Sequence, residues 1–413
     1  MSRRTWGVAL AALGLAATAG GAQRPTPRAL VVLNANLIDG TGAAPRRGVS
    51  LVLEGGRIAR IVEGRAAIPA GADTLDVEGR WVLPGLIDAH THIATPAAMR
   101  RALESGVTTV RSASTPLYQD VGLRALVRQG VLAGPDMLAA GVFVTPYLGE
   151  TAMADPRLAP LAREVMTPTQ LAQVVEINAD RGVDVIKTRA TERAGLADQD
   201  PRKQVYDEAQ LRAVVQAAAR RNLRVLVHAH GDEGARAAVA AGAHSIEHGT
   251  YLSDTTLAMM RARGTCFVPT YATVVDLVQP GGDYDEPALR VRGLHMLPRL
   301  GESVRKAHAL GIAVVTGGDT QYGPQSVTRI PHEAGFFVDL GLSPMDAVRA
   351  ATSVAAGCLG IATRTGTLEP GKEADLIVVE RNPLEDIRAL QDVLVVVADG
   401  VAAMNRIPFG LRR

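Results

Sequence analysis

The residues best suited to chemistry begin with Asp88-Ala89-His90-Thr91-His92. Residues two apart on a strand share a face, so His90 and His92 can aim two imidazoles at one point, half of a metal site. Alone, a His-x-His pair is a weak signal, because a satisfied polar core pair reads the same way. Partners stand further along the chain: His228, then His248 twenty residues later, then Asp319 in Thr316-Gly317-Gly318-Asp319. Imidazoles with a carboxylate suit a divalent metal, and Asp319 can also carry a proton, although an Asp before a helix is as often an N-cap. Lys187 closes Val183-Asp184-Val185-Ile186-Lys187 and is one of four lysines among 44 basic residues. On a strand buried on both faces its ammonium is disfavoured. A neutral amine can take up carbon dioxide, and the resulting carbamate is an anionic oxygen ligand able to bridge two cations. The plainer alternative is a salt bridge to a neighbouring carboxylate.

The elements that must position these residues follow a repeat. From 84 to 365, helical patterns alternate with short apolar runs, which argues for a parallel sheet built of βα units. A Gly or Asn closes a helix and a strand begins, as in Gly106-Val107-Thr108-Thr109-Val110, Asn222-Leu223-Arg224-Val225-Leu226 and Gly311-Ile312-Ala313-Val314-Val315. Counting the runs at 83–87 and 137–142 gives eight strands, the number that closes an α/β (β/α)8 TIM-like barrel. His90 and His92 follow the first strand, Lys187 the fourth, His228 and His230 the fifth, His248 the sixth and Asp319 the eighth. Strand C-terminal ends are where such barrels do their chemistry. Short alternating runs at 29–80 and 374–397, with turn signals such as Asp39-Gly40 and Asp399-Gly400, predict that the chain ends pair into a small β-sandwich. The expected units are thus a sandwich from 23–83 and 366–413 around a barrel at 84–365.

Composition narrows the class. With 47% hydrophobic and 21% charged residues over 413 positions, the chain is too apolar for a disordered protein. A formal charge of +2 without any basic block excludes nucleic acid as a partner. Cys266 and Cys358 form no CxxC pair, which argues against a thiolate zinc cluster and a disulfide scaffold, and both read as buried small hydrophobes. Arg3-Arg4 precedes an apolar run at 6–17 and small residues up to Ala22, the layout of a cleavable signal peptide over 1–22. An exported protein, periplasmic or secreted and not held in the membrane after cleavage, is expected; the run is short for a bilayer span.

With these motifs placed, the chain resembles the amidohydrolase superfamily. The resemblance rests on Val82-Leu83-Pro84-Gly85-Leu86-Ile87-Asp88-Ala89-His90-Thr91-His92, Ile186-Lys187, His228-Ala229-His230-Gly231, Ser245-Ile246-Glu247-His248-Gly249, Thr316-Gly317-Gly318-Asp319 and Glu369-Pro370-Gly371-Lys372-Glu373-Ala374-Asp375-Leu376. It is most similar to the branch of prolidase-like dipeptidases and imidazolonepropionase relatives. That resemblance implies two divalent metals, usually zinc: His90, His92 and Asp319 on one, His228 and His248 on the other, with carboxylated Lys187 and a hydroxide between them. It implies hydrolysis of an amide or peptide-like C–N bond in a small substrate, with Asp319 moving the proton. Cyclic amides, lactones and phosphoesters are the alternatives, and a non-catalytic binding protein on the same barrel is a distant one. His230 and Arg189 are the candidates to hold a substrate carboxylate, ahead of Arg193 and Arg329. His244, His295, His308 and His332 are assigned to packing or surface. Relatives often carry Arg-Asp after the second strand and Gly-Gly-His after the third, where this chain has Arg111-Ser112 and Tyr147-Leu148-Gly149-Glu150. Homo-oligomerisation is compatible with this reading.

Overall fold

The computed structural model describes residues 27–282, 284–326 and 329–407. The expected signal peptide at 1–22 lies outside them. Strands from both ends of the chain form one sheet in the order Val401–Asn405, Val393–Ala398, Leu376–Val379, Trp81–Pro84, Leu30–Leu37, Arg46–Glu54, Arg57–Glu63, with Asp73–Asp76 also paired to Leu30–Leu37. The two ends therefore do pair, within a single hydrogen-bonded sheet. Successive side chains of Leu30–Leu37 point to opposite faces. Leu30 and Val32 pack with Leu51, Leu376 and Val397, whereas Val31 and Leu33 pack with Val52 and Ala66.

The chain leaves this sheet at Gly85. Gly85 N donates to Asp375 O at 3.0 Å, still in the terminal sheet, and Leu86 N donates to Gly106 O at 2.9 Å, already in the next one. A Cβ at Gly85 would lie 2.1 Å from Thr108 Oγ1, so the step between sheets needs glycine. The run at 83–87 is thereby divided. Its first half belongs to the terminal sheet, and an inner strand β1 (Leu86–Thr91) carries His90 within it.

β1 forms a parallel sheet with β2 (Val107–Ser112) and β3 (Asp136–Leu138). A second parallel sheet holds β4 (Val185–Arg189), β5 (Arg224–Ala229), β6 (Ser245–His248) and β7 (Cys266–Val268). The eighth expected strand contributes an isolated bridge, Val314 to Phe267. Val185 N to Ala139 O at 3.2 Å and Ala89 N to Thr316 O at 3.0 Å connect segments of the two groups. The hydrogen bonding thus shows two α/β sheets in place of one continuous eight-stranded ladder. β3 is shorter than the 137–142 run because side chains take over its backbone groups: Asp120 Oδ2 accepts from Ala140 N and Gly141 N, and Asn178 bonds both Val142 N and Val142 O.

Outer helices are set by local signals. Pro168–Asp180 and Glu208–Arg220 each start with a capping box, Thr167 with Gln170 and Asp207 with Gln210. The second helix buries Leu211, Val214, Ala217 and Ala218 on one face. Among the described residues no helix is long and apolar enough to cross a membrane.

One expectation is corrected here. Cys266 on β7 and Cys358 on the helix Ser353–Leu359 are joined as a disulfide, with Cα atoms 6.0 Å apart. Both are buried, as expected of small hydrophobes, but 92 residues of sequence hide an adjacency created when that helix packs with Ile87 and Val268.

Candidate metal centre and active site

The strand ends bring the expected ligands into two groups. His90, His92 and Asp319 form one, and His228, His230 and His248 the other; within each group the candidate ligand atoms lie within 4.8 Å of one another. Asp319 Oδ1 is 3.4 Å from His90 Nε2 and 3.2 Å from His92 Nε2, and its Oδ2 is 4.0 Å from His248 Nδ1. The groups adjoin: the His90 and His248 ring centres are 5.0 Å apart. His230, assigned from sequence to substrate, stacks on His248 at 4.6 Å and stands inside the second group.

Neighbouring groups decide which nitrogen of each ring is available. A carbonyl only accepts, so His92 donates Nδ1–H to Ser114 O at 2.9 Å and His228 donates Nε2–H to Glu192 O at 3.0 Å. Nε2 of His92 and Nδ1 of His228 are left as lone-pair ligands. His90 Nδ1 lies 2.6 Å from Glu247 Oε2, His230 Nδ1 2.9 Å from Thr250 Oγ1, and His248 Nδ1 2.8 Å from Thr270 Oγ1. Each imidazole thus has one nitrogen held by an outer partner, the arrangement that orients metal-binding histidines.

Electrostatics agree with that donor set. Burial lowers His90 to about 4 and His230 to about 3, and it lowers His228 and His248 well below the usual range, so all four rings are neutral near pH 7. Burial alone would raise Asp319, but His90, His92 and Lys187 pull it down to about 2, leaving a carboxylate. Neutral imidazoles beside an ionised carboxylate are the ligand forms a divalent metal requires, and these residues fit one. Lys187 is buried on β4, and its Nζ contacts His90 Nε2 at 3.4 Å; among the described residues no ion pair joins it to a carboxylate. Burial lowers its amine to about 8.

The loop carrying Asp319 is tightly constrained. A Cβ on Gly317 would lie 2.5 Å from Val268 Cγ1 and 3.0 Å from His90 Cβ, and one on Gly318 would lie 2.7 Å from Asp88 Oδ2. The paired glycines let the backbone approach β1 closely enough for Asp319 N to donate to His90 O at 2.7 Å. No helix starts at Asp319, which removes the N-cap alternative. His248, Thr270 and Asp319 all hold positive φ, at 73°, 48° and 44°, strain of the kind found at functional sites.

Both groups line a cavity of about 590 Å³, with Lys187 and Arg193 also in its wall. Phe143, Leu148, Val274 and Leu277 form part of its apolar lining. Arg189 does not line it. Its guanidinium is buried and turned to Thr191 O, Thr145 Oγ1 and Gln199 Oε1, at 3.2, 3.2 and 3.3 Å, which corrects its candidacy as a carboxylate holder. Arg329 lies over the Tyr322 ring, outside the wall. His244 accepts from Val225 N, and His295 and His308 face Tyr251 and Asp346; with His332, all lie outside the cavity lining.

The outer partners of the candidate ligand rings carry no motif of their own in the sequence. Glu247 sits beside His248 in a quoted motif, yet it serves His90, and Arg111 binds Glu247 Oε1 at 2.9 Å and Ala89 O at 2.7 Å. An acid beside a candidate ligand in an apolar run is the signal from which Glu247 could have been found.

Residues 81–403 match the amidohydrolase family. The chain belongs to that family. A Xaa-Pro dipeptidase, solved with methionine bound in its active site, is 28% identical with a TM-score of 0.80 over 91% of this chain and 99% of that one. Ochratoxinase of Aspergillus niger is 28% identical over 404 residues, 86% of this chain and 82% of its own. Imidazolonepropionase of Chromobacterium violaceum is 28% identical over 390 residues, covering 84% of this amidohydrolase and 90% of the relative. This amidohydrolase is a hydrolase of C–N bonds, acting on amides. Its family is typically metal-dependent, in keeping with the two His/Asp groups.

Proposed function

We propose that this amidohydrolase is an exported enzyme that uses two divalent metal ions, with zinc the natural choice, to cleave the amide bond of a dipeptide or N-acyl amino acid. The observation that carries the reading is the pair of adjoining ligand groups in one cavity, with a buried lysine against them. His90, His92 and Asp319 would hold one ion, and His228 and His248 the other, leaving His230 for substrate. Lys187 lies against His90, on the strand next to the one carrying His228. Addition of its neutral amine to carbon dioxide, with loss of one proton to solvent, would give an anionic carbamate suited to join the two sites.

Bound there, the ions would acidify a water and polarise the scissile carbonyl. The chain's own residues do the rest. Glu247 and Ser114 fix the rings of His90 and His92. Asp319, at the junction of the groups, accepts the proton of the attacking water and delivers it to the leaving nitrogen, which an amide needs because an amine anion leaves poorly. The disulfide favours an oxidising compartment and so supports export, alongside the N-terminal sequence. The imidazolonepropionase relative supports a second reading, hydrolysis of a cyclic amide at the same site.

Amine release from a panel of dipeptides, N-acyl amino acids and cyclic amides tests this. Hydrolysis that is lost to a chelator and restored by zinc is expected; undiminished hydrolysis in stringently metal-free protein would overturn it.

A further inference from the structure

Arg193 is the cation of the cavity that the metal groups do not use. Its guanidinium sits 5.8 Å from the centre of the Phe143 ring, and Lys187 Nζ sits 5.7 Å from the same ring. Arg193 and Lys187 therefore neighbour one aromatic side chain in the cavity wall. Among the described lining residues the carboxylate is Asp319, which is committed to His90 and His92. The nearest acid in sequence, Glu192, is paired with Lys203 Nζ at 2.9 Å and also accepts from Asp200 N.

The segment bearing Arg193 is held as if its position matters. Arg193 N donates to Gln199 Oε1 at 2.9 Å, and buried Arg189 donates to the same oxygen. From the helix Pro287–Ala309, Arg292 reaches across to four carbonyls of the segment: Ala194 O, Leu196 O at 2.7 Å, Ala197 O at 3.2 Å and Gln199 O at 2.6 Å. Two arginines thus fix the backbone on either side of a third, whose own guanidinium faces the cavity. The backbone is fixed while the Arg193 side chain itself is exposed, so its guanidinium is open to a planar anion held by two parallel hydrogen bonds.

We infer that Arg193 binds the free carboxylate of the substrate, with Arg189 and Arg292 as positioning residues, so that the enzyme selects amides carrying a terminal carboxylate close to the scissile bond. This rests on the amide-hydrolase reading above, assigns the residue that recognises the carboxylate its dipeptide and N-acyl amino acid substrates share, and disfavours the cyclic amides. Leu148, Leu196, Val274 and Leu277 in the same wall give that substrate an apolar surface for its remaining side chain.

The test compares kcat/KM for the best N-acyl amino acid with that for its C-terminal N-methylamide, following cleavage of the shared acyl bond in zinc-loaded enzyme. The wild type prefers the acid by about 30- to 100-fold, the scale of a charged hydrogen-bonded contact. In Arg193→Met the two substrates converge, through a raised KM for the acid, with metal content unaltered. Arg292→Ala loses the same preference through KM, and Arg292→Lys recovers part of it; a merely structural role would lower both substrates alike. Equal turnover of acid and N-methylamide by the wild type, or a preference that survives in Arg193→Met, overturns the carboxylate site and leaves the amide-hydrolase reading standing. Turnover of neither compound by the wild type overturns both.

Discussion

Glu247 Oε2 lies 2.6 Å from His90 Nδ1, while Arg111 Nη2 holds the other Glu247 oxygen at 2.9 Å. Burial by itself would raise this acid, but Arg111 and His90 bring it down to about 2, so a carboxylate fixes the His90 tautomer. Outer partners of this kind are worth about 10- to 100-fold in metal affinity. Glu247→Gln is expected to weaken zinc by that factor in a chelator competition, with kcat restored at saturating zinc. An unchanged affinity would show that Glu247 merely fills space.

Asp319 touches both imidazoles of the first group and approaches the second. If it moves the proton, Asp319→Asn in zinc-loaded protein lowers kcat by about 10²- to 10⁴-fold with little change in KM. Full activity of the variant would remove the assignment.

The terminal sheet has its own pH dependence. Asp375 is buried, and burial together with the nearby Asp399 carboxylate raises it to about 8; Asp399 N and Thr365 Oγ1 donate to it. A folded-state pKa above the unfolded value means the folded form binds the proton more tightly. Its stabilisation is complete below the ordinary carboxylate range and is lost as pH rises through about 8. Thermal midpoints should therefore fall between about pH 6 and about pH 9 more steeply in the wild type than in Asp375→Asn. Parallel curves would contradict this.

The Cys266–Cys358 bond closes a loop across 92 residues and ties β7 to the helix Ser353–Leu359. Its removal in Cys358→Ser should cost about 2–4 kcal/mol of unfolding free energy in denaturant titrations. Equal stability of the reduced and oxidised protein would count against a structural role.

The candidate ligands were legible in the sequence because their types are rare in apolar strands and their spacing follows the βα repeat. His90, His92, Lys187, His228, His248 and Asp319 needed only a strand end each. Side-chain reach was not readable. Strand alternation puts Arg189, two residues past Lys187, on the same face, yet its long stem carries the guanidinium to Thr191 and Gln199. Glu247 and Arg111 act across β1, β2 and β6, so their roles exist only once those strands are adjacent. The cysteine pair stayed hidden for the same reason. Gly85 lies inside the 83–87 run that reads as one strand, and nothing in that run shows that the chain changes sheets there.

Two ions joined through Lys187 would be read in the metal content per chain. The protein should be expressed with zinc and bicarbonate and measured beside Lys187→Ala by elemental analysis. Two equivalents are expected in the wild type and one or fewer in the variant. Two equivalents in both, or one in both, would mean that Lys187 plays no part in joining the sites and would contradict the bridged pair.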